Sequence, residues 1–120
     1  MSGRIATASR ETKETRISCT VTVDGSGLGA IEVPLPFFGH MLEAFVKYSG
    51  MDVELSGDGD VDVDTHHLVE DTGIVLGQCV SDALGDRAGI ARFGHAYAPL
   101  DESLVRCVVD YGKRPHVVYE

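Results

Sequence analysis

The longest periodic stretch of the chain, from Asp64 or Thr65 to Leu84, limits the fold more than any other feature. Leu68, Val75, Leu76, Cys79, Val80, Ala83 and Leu84 recur at helical spacing and form one apolar face. Either Asp64 or Thr65 can cap the N-terminus of such a helix, and Gly85 can end it in the left-handed conformation. Gly73 and Gly77 cost helix propensity, which predicts that another helix or a sheet approaches closely there.

The flanking segments read mostly as strands. Residues 4–10 and 16–23 form two of them, because Ile17, Cys19, Val21 and Val23 alternate with Ser18, Thr20 and Thr22 at period two. Asp24-Gly25-Ser26-Gly27 marks a turn. Residues 30–33 are a short apolar piece stopped by Pro34 and Pro36, and Pro36 opens a helix over Phe37 to Ser49 with Phe38, Leu42, Phe45 and Val46 on its apolar side. Met51, Val53 and Leu55 then alternate with Asp52, Glu54 and Ser56 in a strand expected to end at Gly57-Asp58-Gly59. Residues 92–98, 104–110 and 115–119 complete the order β-β-α-β-α-β-β-β, an α+β arrangement.

Composition narrows the function classes. With 120 residues, 43% hydrophobic and 24% charged, the chain matches one globular domain. Its net charge of -9 repels polyanions, which argues against nucleic acid and anionic membranes as partners. No run of about 18 apolar residues is present, and Met1-Ser2-Gly3-Arg4 leads into a charged stretch instead of a signal sequence, so a cytoplasmic protein is expected. Cys19, Cys79 and Cys107 are too widely spaced for a zinc knuckle and odd in number, as reduced, buried thiols are.

His66-His67-Leu68-Val69-Glu70 is the strongest chemical signal. His66 and Glu70 share a helical face, and His67 is rotated from His66 by roughly 100°. An imidazole and a carboxylate one turn apart can chelate a divalent metal, while the second histidine must look elsewhere, implying two metals or a metal and a substrate. The plainer alternative is a capped helix start whose Glu70 and Asp71 favour the positive dipole end. His40, beside an apolar stripe, reads on its own as a hydrogen-bonded core residue; His95 and His116 fall in strand patterns and read as structural. Asp58, Asp60, Asp62 and Asp64 alternate as in a calcium loop, but Val69 stands where the closing glutamate belongs, so a solvated loop is expected. Arg92 and Arg114, with Lys113, are among the few late cations, and an anionic substrate would need such guanidinium forks; Arg87 and Arg106 read as solubilising. No glycine-rich segment leads into Lys-Ser or Lys-Thr, so nucleotide hydrolysis has no support.

Several blocks together resemble the imidazoleglycerol-phosphate dehydratase family of histidine biosynthesis, in the family's order and across the whole chain. They are Arg10-Glu11-Thr12-Lys13-Glu14-Thr15, Phe37-Phe38-Gly39-His40-Met41-Leu42, Gly59-Asp60, His66-His67-Leu68-Val69-Glu70-Asp71, Ala83-Leu84-Gly85-Asp86, Gly89-Ile90-Ala91-Arg92-Phe93-Gly94, Pro99-Leu100-Asp101-Glu102 and Arg114-Pro115. The resemblance implies an α+β fold of the ribosomal protein S5 domain 2-like type, with residues 1–90 as a first half-domain and 91–120 as the opening strands of a second, truncated one. It implies a lyase that dehydrates D-erythro-imidazole glycerol 3-phosphate to imidazole acetol phosphate, with two Mn2+ ions per site bridged by an imidazolate form of the substrate. By matching motif, His40, His66, His67 and Glu70 are metal ligands, Glu14 and Glu70 are catalytic, and Glu14, His40, His66, Arg92 and Arg114 bind the small phosphate-bearing substrate. The resemblance further implies a homo-oligomer, octahedral in the family, with active sites between subunits.

Three departures from the family stand out. Gly39 replaces the usual Asp beside His40, and Tyr48 replaces a usual histidine. The second half, which in the family supplies another His-His-x-x-Glu helix, a further ligand histidine and a Ser/Lys phosphate-binding stretch, only begins in this sequence, which reads either as a fragment or as a chain that works with another component. An alternative reading is a catalytically inactive metal-binding assembly module of the same fold, which turnover would separate from the enzyme. A generic metal hydrolase would instead need a metal-bound water and no imidazole-bearing substrate.

Overall fold

The structure is a computed structural model that describes residues 3–120. The chain divides into two compact units, the first reaching Asp86 and the second Arg87–Glu120. Two helices and a sheet make the first unit α+β, as the alternation and the helical period predict. Its sheet has the order β1-β2-β4-β3, from β1 (Ile5–Glu11), β2 (Thr15–Thr22), β3 (Gly29–Glu32) and β4 (Asp52–Gly59). β2 pairs antiparallel with β1 and β4, and β3 runs parallel to β4.

The period-two pattern explains the core. Ile17, Cys19 and Val21 on β2 stand opposite Gly57, Leu55 and Val53 on β4, so all project from one face of the sheet. Helix α2 (His66–Leu84) buries Leu68, Thr72, Val75, Cys79 and Ala83 in the core, and helix α1 (Pro36–Ser49) adds Leu42 and Val46. Two thiols sit there, and Cys79 Sγ–H donates to the Cys19 carbonyl. Burial pushes the Cys19 thiol up to about 12, which keeps it protonated and inert. Cys107, expected to be buried, is exposed, because neither strand of the second unit is covered.

Several expectations are corrected. Residues 29–32 form a strand because the parallel ladder with β4 supplies their hydrogen-bond partners. β4 includes Gly57 and ends at Gly59, within the Gly57-Asp58-Gly59 stop that the sequence predicts. A Cβ on Gly57 would lie 3.0 Å from Ile17 Cδ1 and 3.4 Å from Leu68 Cδ1, so this glycine lets α2 cross close to the strand. Gly73 and Gly77, by contrast, face open space among the described residues, since α2 packs on the sheet through its opposite face. Gly85 has φ +56° but ψ -118°, so it ends α2 with positive φ outside the left-handed helical region. At the other end Thr65 makes no side-chain cap bond, and the His66 amide donates to Asp64 Oδ1 at 2.8 Å. Along α1, Phe37, Met41, Phe45 and Tyr48 remain exposed.

The second unit is a hairpin of β5 (Phe93–Leu100) and β6 (Ser103–Asp110), turned by Asp101 at φ +50°. All residues of both strands are exposed. The strand expected over residues 115–119 does not form, because Pro115 lacks an N–H and no ladder among the described residues pairs this segment, so His116 lies in an irregular tail. No helix among the described residues is long and apolar enough to cross a membrane.

Candidate functional site

The first turns of α2 place His66, His67 and Glu70 at the end of the unit where β4 runs into the helix through residues 60–65. His66 Nε2 and Glu70 Oε2 lie 3.3 Å apart, one helical turn along. Two donors about 2.1 Å from one ion and at right angles sit about 3 Å from each other, so this pair suits adjacent positions on a single metal. His67 points elsewhere. Its ring stands at 89° to that of His66, and its Nδ1 lies 2.9 Å from Asp60 Oδ2.

Asp60 decides what His67 offers. An ionised carboxylate only accepts, so Nδ1 carries the proton and Nε2 presents its lone pair in the neutral ring. The bond to Asp60 raises the His67 pKa above its ordinary value, and the negative charges of Asp60, Glu14 and Glu70 add to this against partial desolvation. A carboxylate behind a histidine is the usual support of a metal-binding imidazole. Asp60 was expected in a solvated loop; its side chain is 24% exposed and engaged. The signal in the sequence was the pairing of Gly59 with Asp60 at a strand end, since a Cβ on Gly59 would lie 3.2 Å from both the Glu14 carbonyl oxygen and Thr15 Cγ2.

Glu14 lies in the turn between β1 and β2, exposed, in a shallow polar hollow lined by residues 11–16 with Asp58 and Gly59. Its amide donates to Thr12 Oγ1 and its carbonyl accepts the Asp60 amide at 3.0 Å. His40 is exposed on α1 and not a core residue, because α1 packs through Leu42 and Val46. A Cβ on the preceding Gly39 would sit 3.3 Å from Val33 Cγ2, so the aspartate usual in the family would need Val33 to yield slightly. Arg92 and Arg114 belong to the second unit. The Arg92 guanidinium is already forked onto Asp110, with Nε 2.6 Å from Oδ1 and Nη2 3.0 Å from Oδ2, while Arg114 is exposed after β6.

Of the expected ligands His40, His66, His67 and Glu70, the structure pairs His66 with Glu70, holds His67 on Asp60, which was not among them, and leaves His40 exposed on α1. No group of three or more His, Cys, Asp or Glu among the described residues is gathered closely enough to hold a metal ion. The donor types, imidazole nitrogen and carboxylate oxygen, fit manganese as parts of a coordination shell.

The sequence profile of imidazoleglycerol-phosphate dehydratase matches residues 33–120, most of the chain. The chain belongs to the imidazoleglycerol-phosphate dehydratase family. Among relatives bearing that name, the protein of Chlorobaculum parvum is 50% identical over 120 residues, covering 100% of this chain and 62% of the relative. That of Chlorobaculum tepidum is 51% identical over 119 residues, covering 99% of this chain and 61% of the relative. The solved imidazoleglycerol-phosphate dehydratase of Staphylococcus aureus subsp. aureus superposes with a TM-score of 0.79 at 32% identity, over 93% of this chain and 60% of that one. The Pyrococcus furiosus structure gives 0.72 at 36% identity, over 90% and 56%. The chain therefore spans about three fifths of the family members it matches.

Proposed function

We propose that the protein acts in histidine biosynthesis as a hydro-lyase, dehydrating D-erythro-imidazole glycerol 3-phosphate to imidazole acetol phosphate. Residues 1–90 serve as a first half-domain and 91–120 open a second, in a cytoplasmic homo-oligomer. The observation that carries the reading is the presentation of His67 Nε2 by Asp60 beside the His66–Glu70 pair, in a chain with this family membership.

His66, His67 and Glu70, with His40, would hold Mn2+. Bound manganese supplies Lewis-acid stabilisation of negative charge on the substrate's imidazole ring. Asp60 keeps the His67 proton on Nδ1 and so keeps Nε2 free to bind. Dehydration removes a proton from carbon and releases hydroxide as water, and Glu14, exposed in the turn whose carbonyl is tied to Asp60, is the carboxylate assigned to move that proton. Arg114 offers an exposed guanidinium to the phosphate, while Arg92 must exchange Asp110 for it or orient the site through that ion pair.

The test is turnover of the full-length protein with its second half present, freed of host enzyme and loaded with manganese; residues 1–120 alone, without the partner ligands of that half, should turn over little or nothing. Product should form, stop on chelation and return on adding manganese. Manganese-loaded full-length protein that leaves imidazole glycerol phosphate unchanged would contradict the reading and favour an inactive assembly module.

A further inference from the structure

Asp71 is a buried carboxylate, 6% exposed, that the chemistry above does not use. It follows Glu70 on α2 and lies one turn after His67, on the side of the helix that His67 shares. Both of its oxygens are engaged by residues distant in sequence. Thr15 Oγ1 donates to Oδ2 at 2.5 Å, and Arg10 Nε donates to Oδ1 at 2.9 Å. These donors stand at either side of the turn that carries Glu14: Arg10 near the end of β1 and Thr15 at the start of β2.

The turn is tied internally as well. Thr12 Oγ1 accepts the amides of Glu14 and Thr15, and the Thr12 amide donates to the Thr15 carbonyl. A second tie reaches α2 from the other side, because the Asp60 amide donates to the Glu14 carbonyl and the Asp60 carboxylate holds His67. Glu14 is thus suspended between two anchors, His67 through Asp60 and Asp71 through Thr15. A solvent-facing acid at the helix start would serve the dipole equally well without being buried. Burial with two specific donors is what a fixed distance between the turn and the helix requires.

We propose that Asp71 is a positioning residue for the dehydration: through Thr15 and Arg10 it fixes the Glu14 turn against the helical turn that presents His67. This inference rests on the dehydratase reading. Loss of the Thr15 anchor would let the Glu14 carboxylate drift by a fraction of an ångström to an ångström, and a misplacement of that size costs up to about 100-fold in rate.

The experiment uses the manganese-loaded full-length protein, second half included, carrying Thr15→Val, Thr15→Ser or Asp71→Asn, assayed well below the melting temperature of each variant. Thr15→Val keeps the shape and removes the hydroxyl, so kcat should fall at least tenfold, with KM within about twofold and manganese content unchanged. Thr15→Ser restores the donor and should recover most of the rate, and Asp71→Asn, if folded, should behave like Thr15→Val. Wild-type turnover with an unimpaired Thr15→Val, or equal losses in the Val and Ser variants, would overturn this inference alone. Manganese lost in step with activity would overturn it too, by making Asp71 a support of metal binding. A wild type without turnover overturns the dehydratase reading, and this inference with it.

Discussion

The two units of this chain are built from strands of similar length and similar alternation, yet only one of them has an interior. β2 buries Thr15, Ile17, Cys19 and Val21 under α2, whereas β5 and β6 leave Tyr97, Val105, Val108 and Val109 exposed. The difference lies in cover: the first sheet has two helices on one face, and a two-stranded hairpin without cover gains little from burial. The buried polar contacts follow the same division, since Asp71 and Thr15 are buried and the Arg92–Asp110 pair is exposed.

The largest effect should separate the two units by truncation of a side chain. Leu68→Ala removes a fully buried side chain packed beside Gly57 and should cost about 3 kcal/mol of unfolding free energy. Val108→Ala, at a position 71% exposed, should stay within about 0.5 kcal/mol, both measured by denaturant titration of residues 1–120. Equal costs would show that the hairpin is covered in solution.

A smaller effect concerns acid. The Thr15 hydroxyl, then Arg10, holds the Asp71 carboxylate below its ordinary range against desolvation. The folded state then binds fewer protons than the unfolded one, so this contribution is present above the ordinary carboxylate value and is lost as pH falls through the lowered one. Asp71→Asn should flatten the decline in melting temperature below roughly pH 5. Asp110→Asn, which breaks a solvent-screened pair, should leave that decline nearly unchanged. A further modest effect should come from Thr72, whose buried Oγ1 has no hydrogen-bond partner among the described residues. Thr72→Val should raise stability by about 1 kcal/mol in the same titration, and a loss of that size would reveal a bridging water.

Much of this was legible in the sequence where the interactions are local. The α2 face, the alternation of β2 and β4, and the shared face of His66 and Glu70 follow from period and spacing. What depends on distant partners was not. β3 is a strand because of β4, and residues 115–119 show the converse, a strand pattern with no ladder to join. Asp60 and Asp71 looked like a loop acid and a dipole acid, and only the folded chain brings His67, Thr15 and Arg10 to them.

In the proposed reading, the start of α2 presents two separate metal positions. That claim is tested most directly by anomalous diffraction at the manganese edge from crystals of the loaded full-length protein. One ion should be bound by His66 Nε2 and Glu70 and a second by His67 Nε2, on different sides of the helix, with Asp60 still on His67 Nδ1. A single ion held by His66 and His67 together, or no ion at this end of α2, would contradict the account.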